Sequence, residues 1–203
     1  MTSAAMKART TQILLIAAGF LAGVAAIVLV VVLVTGRDPM PSARASAIGG
    51  PFRLTDQSGR TVTEADLRGH PFLLFFGFTH CPDVCPTTLF EVSEVLGQLG
   101  PDAERVSALF ITVDPERDTP AQMKDYLSSF NPRLIGLTGE PAAIAAVEKA
   151  YRVYVKKVPL ENGEYTMDHT ALVYLMDKEG RFVAPFNLKR TPEDAAADLR
   201  RYL

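Results

Sequence analysis

Apolar positions are distributed along this chain in two different ways. Near the start, residues 13–34 read ILLIAAGFLAGVAAIVLVVVLV without a charged side chain. At about 1.5 Å per residue a helix of that length covers about 33 Å, enough for the core of a bilayer. Beyond residue 50 the apolar runs are short and are separated by polar stretches. Residues 72–76 (FLLFF), 108–113 (ALFITV) and 171–176 (ALVYLM) predict buried strands, apolar on both faces. Residues 181–186 follow the last of these through Asp177-Lys178-Glu179-Gly180, which predicts an antiparallel hairpin.

Between the strands the pattern changes to the 3.6-residue period of helices. Leu89, Val92, Leu96 and Leu99 mark the first. Met123, Tyr126, Leu127 and Phe130 mark the second, opened by Thr119-Pro120 as N-cap and first helical residue. Ile144, Val147 and Tyr151 mark a third, and Thr191-Pro192 opens a fourth that buries Ala195, Leu199, Tyr202 and Leu203. Strand, helix, strand, helix, a strand hairpin and a last helix is the order of an α/β, thioredoxin-like domain. Residues 151–165, with a turn at Glu161-Asn162-Gly163-Glu164, form an inserted β-hairpin in this reading. The expected organisation is a short cytoplasmic head (1–12), one N-terminal transmembrane helix (13–34), a linker (35–50) rich in Gly, Pro, Ser and Ala, and the thioredoxin-like domain (51–203).

A signal-peptide core is usually about 7–15 residues, so the first apolar run is too long to be typical of one. The small-residue site Ala45-Ser46-Ala47 lies far downstream of it, and no cysteine stands nearby to accept a lipid. Lys7, Arg9 and the free amine precede the span; Arg37, Asp38 and Arg44 follow it. Lysine and arginine tie at two on each side, and the free amine tips the balance towards a cytoplasmic N-terminus. The head is too short for a mitochondrial transit peptide. The expected location is therefore a bacterial inner membrane, single-pass, with the C-terminal domain in the periplasm, where disulfides form and persist. The chain carries a net charge of −2, and residues 48–203 carry −5, so no nucleic-acid partner is expected.

Two cysteines and three histidines exclude a multi-cysteine zinc scaffold, a dense disulfide framework and a four-thiolate iron–sulfur cluster. Thiol chemistry rests on Cys81-Pro82-Asp83-Val84-Cys85-Pro86, directly after one predicted strand and before the first helix. Pro86 suits the first helical position, which puts Cys85 near the N-cap, where the helix dipole lowers a thiol pKa. Three intervening residues make a wider loop than the C-x-x-C redox motif. Such a loop can hold two sulfurs around a metal, and it can close to a disulfide if the Cβ atoms approach to about 4 Å. A disulfide stapling an exported domain is the plain alternative, although a loop this short staples little.

His169, in Asp168-His169-Thr170, stands just before the ALVYLM strand, at the place that faces the cysteine loop in a thioredoxin-like core. It is the candidate third ligand, with Asp168 as an electrostatic partner. Taken alone, a histidine before a strand is more often a satisfied core or surface residue. His80 adjoins Cys81 but points elsewhere in this reading; His70 is a loop residue and Met167 a core methionine. Two thiolates and one imidazole suit copper(I) and can hold copper(II), while zinc in an open Cys₂His site competes. Spacing does not separate the two metals.

Three blocks in this order, FFGFTHCPDVCP (residues 75–86), ITVDPERDTP (111–120) and DHTALVYLMDKEGRF (168–182), resemble the signatures of the SCO/SenC family, membrane-anchored thioredoxin-like copper proteins that assist cytochrome c oxidase assembly. The resemblance implies that Cys81, Cys85 and His169 bind one copper per domain. It implies delivery to, or preparation of the thiols of, the CuA site in oxidase subunit II, with a periplasmic copper donor and a thiol reductant as further partners. Val84 and Thr170 replace a commoner isoleucine and serine, and neither is a ligand. The VDPERDTP block carries no expected ligand, and Asp114, Glu116, Arg117 and Asp118 read as a solvated turn or a partner-docking surface. The segment Thr166-Met167-Asp168-His169 has a histidine where thioredoxin-type enzymes carry a proline. That argues against a broad dithiol oxidoreductase and leaves a dedicated thiol–disulfide reductase, or a redox or copper sensor, as alternatives.

Overall fold

The computed structural model describes residues 18–27, 48–161 and 163–203. The chain divides into two units, Met1–Ala45 and Ser46–Leu203. In the first, residues 18–27 are helical with exposed side chains. Among the described residues no helix is long and apolar enough to cross a membrane. The head, both ends of the expected anchor and most of the linker lie outside the described residues.

The second unit is built on nine strands: β1 (Arg53–Asp56), β2 (Thr61–Thr63), β3 (Phe72–Gly77), β4 (Ser107–Thr112), β5 (Leu134–Thr138), β6 (Val155–Pro159), β7 (Tyr165–His169), β8 (Val173–Met176) and β9 (Phe182–Pro185). Seven of them form one sheet in the order β2-β1-β5-β4-β3-β8-β9, and β6 and β7 pair separately. The FLLFF run lies at the centre. It runs parallel to β4, with Phe75 opposite Phe110, and antiparallel to β8, with Phe75 opposite Val173. Every residue of β3 is buried, which is why its sequence is apolar without alternation. The hairpin expected after β8 forms, with β9 antiparallel to it.

Four helices cover the sheet: α1 (Val84–Leu99), α2 (Pro120–Leu127), α3 (Pro141–Ala150) and α4 (Pro192–Leu199). α1 packs against α4, α2 against β5, and α3 against β1. The Thr-Pro openings behave as expected: Thr119 Oγ1 accepts from the Gln122 N–H and Thr191 Oγ1 from the Asp194 N–H, each at 3.2 Å. This is the thioredoxin-like α/β arrangement that the pattern predicts, with several differences.

β5 was not expected, because Gly136 interrupts its apolar run. A Cβ at Gly136 would lie 2.6 Å from Leu127 Cδ1 and 2.9 Å from Met123 Cε, so close packing of α2 on the strand demands glycine. The β1–β2 hairpin was not expected either. Its turn is held by Asp56, whose Oδ1 accepts from the N–H of Ser58 at 2.8 Å and of Arg60 at 2.9 Å. Burial pushes the Asp56 carboxyl up, but hydrogen bonds from Ser58 and Arg60 outweigh it and hold the pKa at about 2. α3 stops at Ala150; Tyr151 lies in the following turn, buried against Phe76 and Tyr174. β8 begins at Val173, two residues later than the apolar run suggests.

Candidate metal centre

The central strand delivers the cysteine loop. After Gly77 the chain passes through Phe78-Thr79-His80 and turns, with the Cys81 N–H donating to the Phe78 carbonyl at 3.2 Å. α1 then begins at Val84, two residues before the expected start at Pro86, so Cys85 lies inside its first turn. Pro86 still fits, because the first four N–H groups of a helix have no intrahelical acceptor. Cys81 is half-buried and Cys85 fully buried, and both are free thiols. The Cys85 N–H donates to Cys81 Sγ at 3.4 Å.

The seat of Cys85 is cut to measure by Gly77. A Cβ there would stand 2.8 Å from Cys85 Sγ and 2.7 Å from Phe110 Cε2. This enclosure reverses one expectation. Burial pushes the Cys85 thiol well above its ordinary range, further than the Phe78 backbone hydrogen bond pulls it down. A helix start does not acidify a thiol that has lost its water.

His169 arrives from a different element. It is the last residue of β7, so the inserted hairpin carries it; the hairpin spans residues 155–169, four positions later at each end than the expected 151–165. Its Nε2 lies 3.6 Å from Cys85 Sγ, and its Nδ1 lies 3.1 Å from the Thr170 carbonyl oxygen. A carbonyl can only accept, so Nδ1 carries the proton and Nε2 turns its lone pair to the sulfur. Phe75 and Phe78 meet the imidazole edge-on, with centroids 6.2 and 5.8 Å away. Burial lowers the His169 pKa, against the opposing pull of the Thr170 carbonyl and the Asp168 charge, and favours the neutral ligand form. Asp168 itself is exposed and stands opposite Lys156 on β6.

Cys85 thus touches both Cys81 and His169, but the three expected ligands do not form a finished cage. Among the described residues no three His, Cys, Asp or Glu side chains stand ready-made around a metal. The donor chemistry nevertheless fits a soft ion: two sulfurs, and an imidazole nitrogen whose other nitrogen is already fixed. His80 is exposed; its Nδ1 lies 3.1 Å from Thr79 Oγ1 and 3.8 Å from Asp118 Oδ1. His70 is exposed, and Met167 packs half-buried against the core.

The VDPERDTP block is not a solvated turn. Asp114 is 3% and Asp118 0% exposed. The Asp118 carboxylate accepts from the Thr79 N–H at 3.0 Å, the Thr79 hydroxyl at 2.7 Å and the Thr112 hydroxyl at 2.6 Å. It thereby fixes the backbone two residues before Cys81. Only Thr112 among these partners is near in sequence; Thr79 lies 39 positions away, so no local pattern signals the burial. Tyr126 was expected as core, and its hydroxyl is buried without a hydrogen-bond partner among the described residues. Burial, then the charges of Cys85, Cys81 and Asp118, push its pKa up.

A mixed sheet, parallel only through β5, β4 and β3, whose central strand feeds two cysteines into a helix start, with an added hairpin bringing a histidine beside them, defines a variant of the thioredoxin-like class. The SCO1/SenC family model matches residues 40–203, and the chain belongs to that family. It is 37% identical over 190 residues to an SCO2-like protein of Rickettsia prowazekii, covering 90% of this chain and 92% of that one. It is 44% identical over 164 residues to a mitochondrial SCO2 homologue of Bos taurus, covering 79% of this chain and 62% of the relative. It spans 43% of the length of a mitochondrial SCO1 homologue of Arabidopsis thaliana, at 46% identity. Among solved structures, Bradyrhizobium japonicum ScoI with copper bound superposes with a TM-score of 0.76 at 70% identity, covering 77% of this chain and 99% of that one.

Proposed function

We propose that this chain is a membrane-anchored copper metallochaperone serving the assembly of cytochrome c oxidase. Cys81 and Cys85 hold the cargo as thiolates and His169 Nε2 completes the site. The observation that carries this reading is the 3.6 Å approach of His169 Nε2 to Cys85 Sγ, with Nδ1 already committed to the Thr170 carbonyl. Support comes from the copper-bound ScoI structure and from BsSco, described as a member of the Sco family of cytochrome c oxidase assembly proteins and 25% identical to this chain. Residues 13–34 supply the anchor, placing the domain in the periplasm of a bacterial inner membrane.

The arrangement suits transfer as well as binding. One ligand, Cys81, is half-buried, while Cys85 and His169 are held from behind by the core. Exposed Val84, within the cysteine loop, and exposed Leu172, three residues after His169, offer apolar surface beside the site. A recipient can dock there and exchange ligands starting from the Cys81 side. The recipient in this reading is the CuA site of oxidase subunit II.

The BsSco structure is described by a disulfide switch, which favours a second use of the same pair. The half-buried Cys81, as its thiolate, attacks a disulfide of the target and forms a mixed disulfide, releasing one target thiol. The other cysteine then resolves it, leaving two thiols on the target and a Cys81–Cys85 disulfide that a separate thiol reductant must reopen.

The deciding experiment titrates the reduced, detergent-solubilised chain with copper(I) against a chelator. One copper per chain is expected, held more weakly after His169→Ala and with a changed copper(II) spectrum. Unchanged affinity and spectrum in His169→Ala would overturn the three-ligand assignment.

A further inference from the structure

The hairpin that carries His169 has no strand pairing with the seven-stranded sheet. A two-stranded ribbon is marginal by itself, so side chains must fix where its histidine stands. Tyr165, Met167 and His169 lie two residues apart along β7 and share one face. Holding Tyr165 therefore sets the side on which His169 is presented, about 13 Å further along the strand.

Tyr165 is held by the loop between β4 and α2. Arg117 Nη1 donates to the Tyr165 carbonyl at 3.0 Å, and the guanidinium lies over the Tyr165 ring, 3.8 Å from its centroid. The Tyr165 hydroxyl donates to Asp114 Oδ1 at 2.9 Å, and Asp114 Oδ2 pairs with Arg117 Nε. These four contacts close a ring through backbone, aromatic face, phenol and carboxylate. On the outer side Lys157 Nζ bridges to Glu116 Oε2 at 2.7 Å and also sits over the Tyr165 ring. Arg117 reaches the site side as well: it lies 5.8 Å from the centroid of Phe78, whose ring meets His169 edge-on. Only the planar, forked and always charged guanidinium can make the carbonyl bond, the ion pair and the stack together.

We infer that Arg117, with Asp114 and Tyr165, is a positioning clamp that holds the hairpin so that His169 stands against Cys85. The five residues from Asp114 to Asp118 then serve both halves of the site. Asp118 fixes the cysteine loop through Thr79, and Asp114 with Arg117 fixes the histidine arm. The clamp deepens the proposed function, because its purpose rests on His169 being a ligand.

The test uses the full chain, reduced and solubilised, as Arg117→Met and Tyr165→Phe. Without metal, the His169 ring protons carry shifts from the Phe75 and Phe78 rings. Arg117→Met should move them most of the way to their random-coil positions. Tyr165→Phe, which keeps the stack and loses only the phenol bond, should move them part of the way. With copper(I), Arg117→Met should weaken binding about tenfold, the range for supports behind a ligand. Combined with His169→Ala it should cost nothing beyond His169→Ala alone, because both act through one nitrogen. Unmoved His169 resonances in either variant overturn the clamp, and so does an additive loss in the double variant. If Arg117→Met fails to fold, Tyr165→Phe decides by the same shifts. If His169→Ala leaves copper binding untouched, the ligand reading falls, and the metal-free shifts still judge the clamp.

Discussion

Gly77→Ala places one methyl group between the centre of the sheet and the candidate metal site. The added Cβ would stand 2.7 Å from Phe110 Cε2, 2.8 Å from Cys85 Sγ and 3.2 Å from Phe75 Cε1. Non-bonded heavy atoms prefer about 3.5–4.0 Å, so two of these neighbours must retreat by about 0.7 Å or more. Phe110 is fully buried and stacked on Phe75, and Cys85 is fully buried at a helix start, so neither has free space to enter. Overpacking of this kind costs about 1–3 kcal/mol, and rigid neighbours on both sides place the expectation at the upper end. For a domain of this size that is a fall in Tm of about 6–12 °C. The same push displaces Cys85 Sγ from its 3.6 Å approach to His169, so copper(I) affinity should drop by about tenfold or more. Calorimetric melting and chelator competition measure the two effects. Gly136→Ala is the control: its neighbours are the tips of Leu127 and Met123, so it should lower Tm and leave copper affinity unchanged. A Gly77→Ala protein with wild-type Tm and affinity would refute the reasoning.

Three further outcomes follow from the same structure. Asp118→Ala removes a buried acceptor from two hydroxyls and one N–H, and should cost about 3 kcal/mol or more, with the Thr79 amide losing protection from hydrogen exchange; retained protection would show that another group holds the loop. Burial raises the Glu148 pKa from 4.5 to about 7, so the folded protein binds its proton more tightly than the unfolded chain. The resulting stability is complete below about pH 4.5 and is lost as pH rises through about 7; Glu148→Gln should flatten that slope in denaturant titrations and exceed wild type at pH 8. Tyr126→Phe deletes an unpartnered buried hydroxyl and should leave Tm unchanged or raise it by a few degrees, about 1 kcal/mol; a clear loss would reveal a partner for that oxygen.

The parts of this fold that were legible in the sequence are those whose period is uninterrupted. β3, β4 and β8 announce themselves by unbroken apolar runs, and α2 and α4 by a threonine-proline start. β5 escapes because the glycine that lets α2 pack closely also breaks the run that would reveal it. The cysteine pair and His169 were readable as chemistry, but not the element that brings them together. His169 looks like the entry to β8, whereas it ends β7, because nothing in Asp168-His169-Thr170 marks where one strand stops and the next begins. The acidity expected of Cys85 failed for a related reason: a helix start is visible in sequence, and the burial that overrides it is tertiary. The DPERD segment reads as a solvated turn or a docking surface because four charges around one proline look like surface; that holds for Glu116 but not for Asp114 and Asp118. The segment's partners Thr79, Tyr165 and Lys157 lie 39 to 51 residues away in sequence, beyond the reach of local pattern.

Cys85 and His169 are separated by 84 positions along the chain, and the hairpin closes that gap only when the domain is folded. An unfolded chain keeps its two neighbouring thiols but loses the imidazole. An ion bound at the proposed site therefore favours the native state by mass action, by at most about 2.7 kcal/mol when free ion stands at a hundred times its dissociation constant, less whatever the two thiols of the unfolded chain still bind. Charged and discharged forms of the same polypeptide then differ in how often they open to a protease. If the chain carries copper as proposed, its half-life becomes a readout of whether it holds freight.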